Sequence, residues 1–398
     1  MSGSGFAQAL IFSFMSKPNA TRADVGQTAA NAGMSLSTQG LDQRFNARAA
    51  YFLDSLLAEA MQQLVSSVPE AQSLLSRFTG VYVSDSTIVK LPDSLSTVFR
   101  GHNGDSDAAA KVAVRWDLYS GALWLWLSAG TVHDQRTAVV AQTLPAGALR
   151  LEDLGFYNLT KFAEDVAAGC YVFSRYKHGT LIFTEDGQPL DLVRLLARHG
   201  QQALDMPILL GAGKLPCRLI ALPISPEQLR KRRKRLREIA RKRQQPVSPQ
   251  ASALAGWTLY VTNIPPEKLA TSEAAILGST RWQIECLFKL WKSDGLLAST
   301  RSQDPHRVWC ELYAKLLACL IQHWITLVAC WQRLDRSLHQ ATQVIRKRAF
   351  CLLDTINDLQ GLLAALSRTA AVIAQTCGLS KRAARPLTYQ RWLEAAQC

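Results

Sequence analysis

Between residues 78 and 177 the apolar residues stop recurring at helical spacing and begin to alternate, and this switch restricts the fold more than any other feature of the chain. In Gly80-Val-Tyr-Val-Ser-Asp-Ser-Thr-Ile-Val-Lys90, β-branched and aromatic residues on both sides predict a strand. Residues 112–119 and 122–132 alternate around Ser120-Gly121 and predict a hairpin. A short apolar segment then ends at Asp153, Asn158 is placed to cap a helix running through Lys161 to about residue 168, and residues 170–176 make a fifth strand. Helical spacing returns on both sides, over roughly the first 75 residues and again beyond about residue 300. Strands, then strand and helix, then strand predict an α/β fold.

Three acids sit where such a fold makes them conspicuous. Asp85 interrupts its strand where an apolar residue is expected, which is costly unless the carboxylate is used; a turn at Ser84-Asp85-Ser86 is the alternative. Asp153 ends the next apolar segment, as a functional group or as a plain strand-to-helix turn acid. The third acid lies in Arg281-Trp-Gln-Ile-Glu-Cys-Leu-Phe-Lys-Leu-Trp-Lys292. As one helix this stretch sets Arg281, Glu285, Lys289 and Lys292 within an arc of about 80°, opposite Ile284, Leu287, Phe288, Leu290 and Trp291. A lone carboxylate among cations suits a divalent ion held beside a polyanion. It also suits a solvated face with i,i+4 ion pairs worth a few tenths of a kcal/mol.

Asp85, Asp153 and Glu285, in that order, resemble the catalytic acids of the DDE transposases, specifically the IS-four family of bacterial insertion sequences. The family pattern Y-x2-R-x3-E-x6-K is met by Arg281, Glu285 and Lys292, with Gly278 at the tyrosine position. The resemblance extends to Val83-Ser-Asp-Ser-Thr87, Asp153-Leu-Gly-Phe156 and Trp257-Thr-Leu-Tyr-Val-Thr-Asn-Ile-Pro265, and covers most of residues 6 to 300. It implies a ribonuclease H-like catalytic core interrupted by a mainly β insertion, with helical N-terminal and C-terminal regions. Asp85, Asp153 and Glu285 would converge as metal ligands for two Mg²⁺ ions, with Mn²⁺ able to substitute. The implied activity is cut-and-paste transposition: hydrolysis at the element's ends, then strand transfer to target DNA. Arg281 and Lys292 would hold phosphates and Lys289 would assist. A DNA-binding derivative without activity is a second reading, fed by Gly278 and an abrupt amino end. A nuclease that cuts without joining is a third.

Composition agrees. The chain has 398 residues, 48% of them hydrophobic, a formal charge of +14 and a pI near 9.5, which favours a polyanionic partner and argues against disorder. Residues 230–243, Arg-Lys-Arg-Arg-Lys-Arg-Leu-Arg-Glu-Ile-Ala-Arg-Lys-Arg, hold ten bases and one acid, so Arg230, Arg232 and Arg233 are candidate phosphate contacts; a solvated basic helix or loop is the alternative. Near the amino end, residues 24–32, Gly33 and residues from 37 predict helix, turn, helix, with Gln39, Gln43, Arg44 and Arg48 facing outward toward DNA. Nine cysteines with no metal-ligand spacing read as thiols of a reducing cytoplasm. Residues 316–331 are apolar but contain Gln322 and His323, so a buried helix is expected and no membrane. The expected division is 1–75 for DNA recognition, 76–178 and 257–300 for the core, 179–256 for the insertion and 301–398 for a helical end. The expected partners are double-stranded DNA, as terminal inverted repeats and target, and a second copy of the chain.

Overall fold

The computed structural model describes residues 2–397 except 35–36, 102–106, 243, 294–296, 298–299, 301 and 383–385. Its strands are β1 (Val81–Lys90), β2 (Ala109–Asp117), β3 (Leu123–Ala129), β4 (Leu149–Glu152), β5 (Tyr171–Arg175), β6 (Ile182–Phe183), β7 (Leu204–Leu210), β8 (Leu215–Pro223) and β9 (Trp257–Thr262). The five segments expected from sequence are distributed over two compact units, one of Met1–Ser73, Ser84–Ala141 and Trp282–Ala396, the other of Leu74–Val83 and Gln142–Arg281.

In the second unit the start of β1 pairs parallel with β4, Val81 with Leu149 through Val83 with Leu151, and β4 pairs parallel with β5. The sheet then turns antiparallel through β9, β8, β7 and β6. Val172, Leu219 and Val261 from the strands meet Phe162 and Leu196 from helices Leu159–Ala167 and Leu192–His199 in one core. Asn158 caps the first of these helices as expected, its side chain accepting from the amides of Thr160 and Lys161. All four residues of β4 are buried. Strand alternation puts Leu149 and Leu151 on one face and Arg150 and Glu152 on the other. On that second face Arg150 binds Glu152 at 2.9 Å and closes on the Asp165 carboxylate of the capped helix. Burial works against the Arg150 charge, but Glu152 and Asp165 outweigh it and hold the guanidinium above its ordinary value.

The insertion is not mainly β. Residues 179–256 contain β6, β7 and β8 but also helices Leu192–His199, Pro226–Lys242 and Pro249–Leu254, and more of the segment is helical than extended. The basic run accounts for the difference. Leu229, Arg232, Leu236 and Ala240 recur at helical spacing and are the half-covered face of the 17-residue Pro226–Lys242 helix, while Lys and Arg are good helix formers. Arg243 lies outside the described residues.

In the first unit β2 and β3 form the expected hairpin, Ala110 opposite Ala129 and Trp116 opposite Leu123. Every residue of β2 is buried. Gly121 turns the hairpin with φ +79, and a Cβ there would collide with Leu327 and Trp331 at the end of the 26-residue helix Pro305–Cys330. That helix is long and apolar enough to cross a membrane, but 78% of its apolar window is buried inside the protein, as expected for a core helix. The amino-terminal expectation needs correcting. Helix Arg22–Asn31 and the Gly33 turn are present, but the next helix, Thr38–Asp42, has five residues, which leaves Arg44 exposed in a turn and Arg48 exposed on a separate helix, Ala47–Gln62. Asn46 ends the continuity by capping that later helix through the Ala49 amide.

His323 of the long helix is buried, and its Nε2 donates to the Gly121 carbonyl at 2.6 Å. Burial, with the nearby Arg336 charge, pushes its pKa from 6.5 to about 4 against the opposing effect of the hydrogen bond. The imidazole is therefore neutral when folded and takes up a proton on unfolding. Its contribution is complete above about pH 6.5 and is lost as pH falls toward 4, up to about 3 kcal/mol at 1.36 kcal/mol per unit. Urea midpoints measured across that range should fall on acidification, and His323→Gln should flatten the fall.

Candidate functional site

Asp85 lies within β1, half-buried and extended, so the alternative of a turn at residues 84–86 does not hold. Its Oδ1 accepts from the Ser86 amide at 2.8 Å. Ser86 Oγ donates to Asp134 at 2.6 Å, and Lys111 Nζ binds the same carboxylate at 2.9 Å. Burial raises the Asp134 pKa, but these two partners outweigh it and hold the acid below the usual range. Sequence reasoning missed Asp134, which begins a single 3-10 turn, Asp134–Arg136, too short for any periodicity to mark it. In the same unit Glu285 is half-buried on helix Trp282–Ser293, turned outward because Ile284, Leu287, Phe288 and Trp291 bury the other side. Lys289 and Lys292 are exposed, and Lys289 Nζ rests 4.0 Å from the centre of the Trp282 ring.

One local expectation fails here. Arg281 is not on the glutamate helix: it is the C-cap of helix Ala274–Thr280, and the next helix starts at Trp282. In its own unit Arg281 Nε lies 3.7 Å from Oδ1 of Asp153, which follows β4 directly and keeps 41% of its side chain exposed. The neighbouring acids Glu152 and Asp153 thus have opposite fates. Glu152 is consumed in the buried Arg150 cluster, while Asp153 holds one long ion pair near solvent. Period-two alternation predicts that neighbours diverge, yet nothing in the local sequence says which of them is buried.

On the basic helix Arg230 and Arg233 are exposed with Lys231, Lys234, Arg235, Arg237, Arg241 and Lys242. Arg232 is different. It bonds the Trp257 carbonyl at 2.5 Å and Thr258 Oγ1 at 2.6 Å, so it docks the helix on β9, and burial together with the Arg175 charge lowers its pKa. In neither unit, among the described residues, do three His, Cys, Asp or Glu side chains gather into a group able to hold a metal. What the predicted acids offer is donor chemistry: hard carboxylate oxygens at half-buried positions, which suits Mg²⁺ or Mn²⁺ and not a thiolate- or imidazole-seeking metal.

Carboxylates of this kind beside exposed cations mark the class of proteins that process nucleic acid. The profile of the transposase DDE domain matches residues 76–321, well over half of the chain, and the chain belongs to that family. It is accordingly an enzyme of DNA strand cleavage and transfer, and the family implies use of a divalent metal. Similar proteins include the transposase for insertion sequence element IS231F of Bacillus thuringiensis subsp. israelensis, 26% identical over 378 residues, 88% of this chain and 79% of that protein. The transposase for IS231E of Bacillus thuringiensis subsp. finitimus is 29% identical, covering 73% of this chain and 65% of that one. The transposase for IS1151 of Clostridium perfringens is 24% identical, with 73% and 66% covered. Among solved structures, piggyBac transposase in a synaptic complex with hairpin DNA shares 9% identity at a TM-score of 0.44, covering 96% of this chain and 77% of that one, a likeness too loose to carry an argument.

Proposed function

We propose that the chain moves a bacterial insertion sequence by a cut-and-paste route, with Asp85, Asp153 and Glu285 as its catalytic acids in a ribonuclease H-like core. The family match over residues 76–321, which takes in all three acids, carries this reading. Glu285 completes the set from a helix whose apolar side turns it outward. Two Mg²⁺ ions, or Mn²⁺ in their place, would be held by these three carboxylates and would lower the pKa of water and neutralise charge on phosphate and leaving oxygen.

The remaining steps belong to the chain's own groups. Arg281 neutralises Asp153 at 3.7 Å in the free protein and presents a planar fork for a phosphate. Lys292 and Lys289 offer further charge to the strand, Lys289 with its ammonium over the Trp282 ring. Arg44 serves at the amino-terminal end. The substrates are the terminal inverted repeats and a target duplex, engaged by a homodimer in the bacterial cytoplasm. Purified protein incubated with divalent metal and DNA from both ends of its element should give joined products. Cut but unjoined DNA would reduce the activity to a nuclease, and shifted but intact DNA would leave only a binding protein.

The basic helix reads phosphate without base specificity. Replacing Arg230, Arg233, Arg237 and Arg241 by Gln should weaken binding to all duplexes alike. It should also flatten the slope of log affinity against log salt by about 0.9 for each phosphate left without a cation. Arg232→Gln tests something else, since it removes the anchor to Trp257 and Thr258. A salt slope unchanged after the four replacements would show that this helix never meets the backbone.

A further inference from the structure

Gly278 stands where the resembled pattern has a tyrosine, and the structure supplies a reason for the glycine. A Cβ built at 278 would lie 2.5 Å from the Tyr260 hydroxyl oxygen, 2.6 Å from its Cε1 and 2.7 Å from its Cζ. Gly278 lies inside the ordinary α-helix Ala274–Thr280, so the requirement is one of space and not of backbone conformation. The phenol end of Tyr260 therefore occupies the volume that the first atoms of a side chain at 278 would need.

Tyr260 is firmly placed. It is buried in β9, its ring centre is 4.8 Å from that of Phe173, and Arg175 is its partner across the β5–β9 ladder. Arg175 is exposed. Arg281, which reaches Asp153, lies three residues beyond Gly278, one turn along the same helical face. Burial raises the Tyr260 pKa above 10 despite the opposing charges of Arg175 and Arg232, so the hydroxyl keeps its proton at neutral pH and is a hydrogen-bond donor. A neutral donor that feels the Arg175 charge, one helical turn from the start of the Arg281 side chain, matches the acceptor oxygens of a phosphodiester.

We propose that Tyr260 delivers from strand β9 the phenol that a tyrosine at 278 would deliver from the helix, donating to a DNA phosphate between Arg175 and Arg281. The proposal rests on the reading of Asp153 and Arg281 as part of the DNA site. It makes the departure at 278 an exchange of position and not a mark of decay.

Tyr260→Phe removes one oxygen and keeps the ring. With duplexes taken from the DNA on either side of the gene, the variant should bind about tenfold more weakly at fixed salt, and should cleave about ten- to a hundredfold more slowly in single turnover, as expected for a missing bond to a charged acceptor. Its urea midpoint should match the unaltered protein. Unchanged affinity and rate would overturn the proposal, and so would a loss of stability matching the loss of function, which would make the hydroxyl structural. The reciprocal test is Tyr260→Ala alone against Tyr260→Ala with Gly278→Tyr. The double variant should regain at least about a third of the lost affinity, whereas a folded double variant that regains none overturns the exchange. Glu285→Gln in the same assays reports separately on the catalytic acids. Should it cleave normally, that assignment falls, and the binding of Tyr260→Phe still decides the role of the phenol.

Discussion

Glu285→Gln is expected to slow DNA strand cleavage by at least about a thousandfold while leaving duplex binding within about twofold of the unaltered protein. The amide is nearly isosteric but carries no charge, so it is a poor ligand for a hard divalent ion, and a metal's share of transition-state stabilisation is several kcal/mol at tenfold per 1.36 kcal/mol. Folding should be untouched, because helix Trp282–Ser293 is held by Ile284, Leu287, Phe288 and Trp291 on its other side. Asp85→Ala and Asp153→Ala should behave alike. Asp153→Ala also removes a negative charge from beside Arg281 and should bind DNA slightly better. The measurement is a single-turnover cleavage rate at saturating Mg²⁺ beside an affinity measured in Ca²⁺. Metal-dependent cleavage that persists in any one of the three variants removes that residue from the catalytic set.

The second large effect is on stability. Arg150→Met should cost about 3–5 kcal/mol, because Glu152 and Asp165, both with side chains only 2–3% exposed, would lose the guanidinium that compensates them. Lys161, 3.6 Å from Asp165, already pairs with that acid and offsets only part of the loss. Replacing all three by apolar residues of similar size should recover most of the loss, since the penalty comes from stranded charge and not from missing attraction. Urea unfolding of the single and triple variants distinguishes these outcomes. A single variant as stable as the parent would mean that the cluster is open to water in solution.

How far these residues were legible beforehand depended on the range of the interaction. Asn158 was readable as a helix cap because the cap and the amides it serves lie within three residues. The Ser120-Gly121 turn and the buried side of the glutamate helix were readable for the same reason, since periodicity is local. The basic run was legible as charge but not as a docked helix, because its anchor, Arg232, bonds Trp257 and Thr258 some 25 residues away. The break at Arg281 escaped notice because residues 281–292 continue a helical pattern without interruption, and the change of helix comes from the way Ala274–Thr280 ends. Asp134 and Tyr260 escaped for a related reason: each acts on residues distant along the chain, Asp134 on Ser86 and Lys111, Tyr260 on Gly278.

The amino-acid order alone therefore settled the alternation that makes strands, the caps and turns that end them, the surplus of positive charge, and the acids placed where an apolar residue or a plain turn was expected. All of these follow from neighbours a few residues apart. Tertiary structure decided which of two adjacent carboxylates, Glu152 or Asp153, was neutralised in the interior and which stayed near solvent, which arginine of the basic run became an anchor, and why position 278 is a glycine while Tyr260 is in place. Burial and close packing depend on what other parts of the chain bring to the same place, and no local pattern encodes that.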